Sequence, residues 1–93
     1  MKIFVSIPEE LMSENNYNNF WISKVKKEYP NATIWSSYEG NGSIEDADAV
    51  LFFYDYKDTR RCKEDIERCR KLNKPYNFIV KMYAPSTSSY LYE

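Results

Sequence analysis

The sequence predicts an α/β fold, a three-layer α/β/α arrangement around a mainly parallel sheet of four or five strands. Three observations carry that expectation. Residues 49–54, Ala49-Val50-Leu51-Phe52-Phe53-Tyr54, form the most apolar run of the chain, as expected of a strand buried on both faces of a parallel sheet. An acidic turn, Asp55-Tyr56-Lys57-Asp58-Thr59, follows at once and feeds a helical pattern that ends at Asn73-Lys74-Pro75. Along the rest of the chain, short apolar runs alternate with helical patterns, the order of strands joined by crossover helices. Ligands of open sheets bind outside the carboxyl ends of the strands, so residues 55–59 border any chemical site.

Composition narrows the function. The 93 residues suit one domain, 1–93, with a modest core. An aromatic share of 17%, nine tyrosines included, suits a core filled with bulky side chains, an aromatic-lined pocket or an adhesive surface. Thirteen basic residues against fourteen acidic ones argue against a polymeric nucleic acid or a membrane surface as partner. No apolar stretch approaches the length of a membrane span, and the start MKIFVSIPEE lacks a signal-peptide pattern. A cytoplasmic location is expected. The chain has no histidine, so acid–base or nucleophilic chemistry falls to carboxylates, Tyr, Lys or Cys. No cofactor is expected, and the most a metal could find is a weak Mg²⁺ site at Asp55, Asp58 and Asp65.

Each element follows from a local pattern. Residues 2–7 (KIFVSI) read as the first strand, stopped by Pro8, so Ser6, Ile7 and Pro8 stand at its carboxyl end. Ser13 is the expected N-cap of a helix reaching about Tyr29, with Tyr17, Trp21, Val25 and Tyr29 as its apolar stripe. Residues 32–36 form the second strand, and residues 37–42 a loop holding both glycines of the chain. Ser43 and Asp46 resemble a capping box that opens a one- or two-turn helix. Residues 59–73 form the second long helix, and residues 76–82 the fourth strand. The tail, 83–93, is rich in Ser, Thr and Tyr and reads as an arm or a short edge strand.

The second long helix holds the candidate chemistry. Cys62, Ile66, Cys69, Leu72 and Asn73 fall on one side, which should face the sheet. The cysteines are about 10 Å apart along the axis, too far to bridge each other, and read as reduced, buried thiols. Asp65 lies on the edge of the same stripe. A carboxylate placed there loses hydration and must be paired or functional; the ordinary expectation is an ion pair with Arg61 or Arg68. Arg60 and Arg61 occupy the first turn, which disfavours cations. They suit either a bound anion such as a phosphate or local pairing with Asp55, Asp58 and Glu64. Asp58 or Thr59 is the expected N-cap.

The pattern Ile44-x-x-Ala47-Asp48-Ala49-Val50, then Asp55, then Asp65-Ile66-Glu67-x-Cys69-x-x-Leu72-Asn73-Lys74-Pro75, resembles the nucleoside 2-deoxyribosyltransferase-like superfamily. The opening Lys2-Ile3-Phe4-Val5-Ser6-Ile7-Pro8 is similar to that family's first strand and loop, and the resemblance touches about half the chain. It implies a flavodoxin- or deoxyribosyltransferase-like sheet and a site acting on a nucleoside or 5′-mononucleotide. Asp65, nine residues before Lys74, falls where the family places its catalytic Glu, the nucleophile that attacks the anomeric carbon and releases the base. Asp55 falls on a carboxylate that holds sugar or base. By the same resemblance Ser6, Ile7 and Pro8 border the pocket and Tyr38 stacks on a base; the helix start, Asp58, Thr59, Arg60 and Arg61, is expected to supply the remaining substrate contacts, with Arg60 or Arg61 meeting a phosphate. A homodimer is the corresponding oligomeric expectation.

The chain also departs from the family. Asp stands in place of Glu, Ile7 in place of a small residue before the loop proline, and no Gly follows the acidic turn. These departures define an alternative, a catalytically inactive module that senses or sequesters a nucleotide. A third reading is a small protein-interaction domain using Tyr83, Tyr90, Tyr92 and the loop from Trp35 to Tyr38. A phosphoreceiver domain is set aside, because the acids it needs after the first strand are replaced by Ile7 and Pro8.

Overall fold

The computed structural model describes residues 1–79, leaving aside the side chains of Tyr17 and Asp55. The expected end of the fourth strand at 80–82 and the tail at 83–93 lie outside the described residues. Within them the chain is an α/β fold with a four-stranded sheet and two α-helices. The strands are β1 (Lys2–Ser6), β2 (Thr33–Ser36), β3 (Ala49–Phe53) and β4 (Tyr76–Ile79); the helices are α1 (Asn15–Glu28) and α2 (Arg60–Leu72). The order across the sheet is β2-β1-β3-β4, and every pairing is parallel.

The two central strands, β1 and β3, pair from Ile3 with Ala49 to Ser6 with Phe52. Alternate residues of β1 enter different cores, as the two-residue period of a strand requires. Ile3, Val5 and Ile7 cluster with Trp21 and Val25 of α1 and with Ile34. Phe4 clusters with Val50 and Phe52 of β3 and with Cys62 and Cys69 of α2. Both cysteines are free and buried. No helix among the described residues is long and apolar enough to cross a membrane.

Several local expectations need correction. The helix expected after Ser13 begins instead at Asn15, because a 3-10 turn at Glu9–Leu11 comes first and the Glu14 amide donates to the Leu11 carbonyl, leaving Ser13 inside the turn. Asn18, fully buried, ties the two together by donating from its side-chain amide to the Leu11 carbonyl. Tyr29, the last member of the expected stripe, is 40% exposed.

At residues 43–46 the capping contacts form, with the Ser43 hydroxyl serving the Asp46 amide and carboxylate. No helix follows, only a turn closed by the Ala47 amide on the Ile44 carbonyl. The chain is then drawn into the sheet by Asp48, whose amide donates to the Lys2 carbonyl and whose carboxylate accepts from the Lys2 amide.

On α2, Leu72 is 42% exposed instead of facing the sheet. The helix stops where Asn73 adopts the left-handed conformation, φ 55°, the usual helix-ending geometry. Lys74 then turns back and donates from Nζ to the Ala47 carbonyl at 2.7 Å.

Candidate functional site

Two carboxyl ends form the candidate site. The chain passes from β1 through α1 to β2 on one side, then returns past β1 to β3 on the other. The crevice beyond the carboxyl ends of β1 and β3 is therefore the point at which the strand order reverses, the position at which open α/β sheets bind ligands.

At that point the Ser6 hydroxyl donates to Asp65 Oδ2 at 2.8 Å. Ser6 is buried because β1 is central and its even-numbered residues face α2. Asp65 is half-buried because it sits at the edge of the stripe carrying Cys62, Ile66 and Cys69. The ion pairs expected of Asp65 do not form: Arg61 reaches Glu9 at 3.9 Å, and Arg68 reaches Glu45 at 2.9 Å. Among the described residues, the Ser6 hydroxyl is the hydrogen-bond partner of this carboxylate.

Burial pushes the Cys62 and Cys69 thiols up to about 11, and the negative charge of Asp65 is the second cause at each. Both thiols are therefore protonated at neutral pH and poor nucleophiles.

The acidic turn becomes a 3-10 turn at Tyr54–Tyr56, whose backbone includes Asp55. Asp58 is exposed and pairs with Lys57 at 3.4 Å. Thr59 is the N-cap of α2, its hydroxyl accepting from the Cys62 amide at 3.4 Å and donating to the Tyr56 carbonyl at 2.8 Å. Arg60 is exposed at the first position of the helix. Arg61 turns toward the 3-10 segment after β1 and meets Glu9 there.

Ile7 leaves β1 fully buried in the cluster on the α1 side, with its amide donating to the Ser37 hydroxyl at 2.7 Å. Pro8, also buried, precedes the 3-10 turn. Tyr38 packs against the α1-side cluster, and its hydroxyl bonds the Asn15 side chain. The structure thus joins Ser6 to Asp65 at the crevice, while Tyr38 belongs to the cluster on the other face.

Sequence reasoning did not single out Glu9 or Ser37, which meet Arg61 and Ile7 only through tertiary contacts. The signal for Ser37 is indirect: once Val5 pairs with Ser36, the next residues of both strands are neighbours. Among the described residues, no group of three or more His, Cys, Asp or Glu is arranged to hold a metal ion. A cavity of about 240 Å³ lies near the amino ends of the strands, lined by Ile3, Tyr29, Ala49, Leu51, Pro75 and Asn77 among others. No lining residue among the described ones carries a carboxylate or a cation, so it offers shape without the chemistry gathered at the other end. Comparison of the chain with protein-family models, with curated proteins and with solved structures gives no match.

Proposed function

We propose that this chain binds a nucleoside or 5′-mononucleotide at the β1–β3 crevice and cleaves or exchanges its N-glycosidic bond, with Asp65 as nucleophile. The observation that carries the reading is the Ser6–Asp65 hydrogen bond at the switch point of the sheet. Holding Oδ2 leaves Oδ1 to approach the anomeric carbon. An Asp65–sugar ester bond forms as the carbon–nitrogen bond breaks, and the base leaves with the bonding electron pair and takes up a proton from solvent. Water, or a second base, then attacks the same carbon and frees the carboxylate. Asp55 contacts sugar or base, and Thr59 and Asp58 border the substrate. The fold in this reading is a three-layer, deoxyribosyltransferase-like one, in a cytoplasmic protein that assembles as a homodimer.

A second reading, binding without turnover, is favoured by the length of the side chain. Asp reaches one methylene less far than Glu, and a misplacement near 1 Å costs roughly a hundredfold in rate. The deciding experiment is a chromatographic assay for free base across a panel of nucleosides and 5′-monophosphates, comparing wild type with Asp65→Ala. Release by the wild type alone supports the nucleophile. No release from either, with a ligand-dependent rise in melting temperature, supports the binding module. A protein that neither releases base nor is stabilised by any member of the panel contradicts both.

A further inference from the structure

Each edge of the described sheet has an outward-facing amide closed by an asparagine side chain. Along β2, the Thr33 amide donates to the Met1 carbonyl and the Ser37 amide to the Val5 carbonyl. Residues 33, 35 and 37 therefore turn their backbone groups toward β1, and Ser36 turns its own away. The outward Ser36 amide donates to Asn41 Oδ1 at 3.0 Å, and the Ser36 carbonyl accepts from the Gly40 amide at 3.0 Å. The loop after β2 thus occupies both outward groups of that residue.

At the β4 edge the Val50 amide donates to the Pro75 carbonyl. With Val50 opposite Tyr76, the backbone groups of Tyr76 and Phe78 point away from β3. The Phe78 amide donates to Asn77 Oδ1 at 2.9 Å, so here the closing group comes from within the strand. β4 has the greater need of it. Tyr76, Phe78 and Ile79 are strong strand formers, and the strand contains neither a charge nor a proline. An uncharged, aromatic edge of this kind is a template for a further strand. Asn77 is exposed and its residue type is depleted in strands. Neither burial nor propensity accounts for it, whereas the bond to the next amide does.

We propose that Asn77 guards the β4 edge, its carboxamide occupying the amide that a second copy of the chain would use to add its own β4 by antiparallel pairing. The inference is independent of the nucleotide reading. A symmetric strand pair must break the Asn77 contact in both copies, so removing the carboxamide acts twice. The test is sedimentation velocity of the full chain over a range of concentrations, joined to hydrogen exchange at the Phe78 amide. Asn77→Ala removes the acceptor without adding apolar bulk and should strengthen self-association roughly tenfold. Its Phe78 amide should exchange faster than that of the wild type in dilute solution and more slowly once the copies associate. Asn41→Ala, which leaves the Gly40 amide on the Ser36 carbonyl, should sediment as the wild type does. An Asn77→Ala protein that matches the wild type at every concentration, or that associates with Phe78 still exchanging freely, would overturn the inference. Equal association of the two variants would overturn it as well, because the guard would then not lie at β4.

Discussion

The Ser6 hydroxyl donates to Asp65 Oδ2 at 2.8 Å, joining the end of the first strand to the middle of α2 across 59 residues of sequence. The contact has a structural consequence apart from any chemistry. Ser6→Ala leaves a half-buried carboxylate without its hydrogen-bond partner, a loss of about 1–3 kcal/mol. Asp65→Asn keeps an oxygen to accept from Ser6 and should cost less. Urea denaturation of the two variants checks the order. A Ser6→Ala protein as stable as wild type would mean that the hydroxyl does not hold the carboxylate in solution.

The two thiols of α2 give a pH signature. Cys62 and Cys69 are raised to about 11 from 9.0, first by burial and then by Asp65. A thiol raised on folding holds its proton in the native state after the unfolded chain has lost it. Its stabilising contribution is therefore complete below about pH 9 and is lost as pH rises toward 11. The melting temperature should fall over that window, and the fall should be shallower in Cys62→Ala/Cys69→Ala. Because Asp65 contributes to both shifts, Asp65→Asn should also bring thiol labelling to lower pH.

The two glycines should behave differently. Both have positive φ, 73° at Gly40 and 69° at Gly42, so either Ala substitution costs about 1–2 kcal/mol in backbone strain. At Gly40 a Cβ meets open space, whereas at Gly42 it would overlap the Trp35 ring. Gly42→Ala should be the more destabilising by at least about 1 kcal/mol, measured by thermal denaturation. Equal losses at the two sites would contradict the packing of Trp35 on Gly42.

Lys74 closes the connection between α2 and β4. Lys74→Met removes the donor to the carbonyl of Ala47, a fully buried residue. The expected cost is about 1–3 kcal/mol, read by urea denaturation. Free energy unchanged within 0.5 kcal/mol, on the order of the noise between surface variants, would assign the lysine no such role.

Much of the fold is legible because its signals are local. The apolar run at residues 49–54 becomes a central strand, and the helix before Asn73 begins and ends within a residue of its expected bounds. Motifs were legible as patterns but less so as roles. Ala47-Asp48 and Asn73-Lys74-Pro75 resemble parts of an enzyme signature, yet here Asp48 docks onto Lys2, Asn73 ends a helix and Lys74 binds a carbonyl. Ser6 and Asp65 were each singled out, but their contact depends on the pairing of β1 with β3 and on the rotation of α2. The same holds for Arg61, whose choice of Glu9 over nearer acids is set by the turn after β1, where no periodicity operates.

The site itself can be located directly by amide chemical shifts during titration with the nucleoside and 5′-mononucleotide panel. The account requires the largest changes at Ser6, Ile7, residues 54–59, Arg61 and Asp65, where the carboxyl ends of β1 and β3 meet α2. Changes centred instead on Ile3, Tyr29, Leu51 and Asn77, around the cavity at the amino ends of the strands, would contradict it.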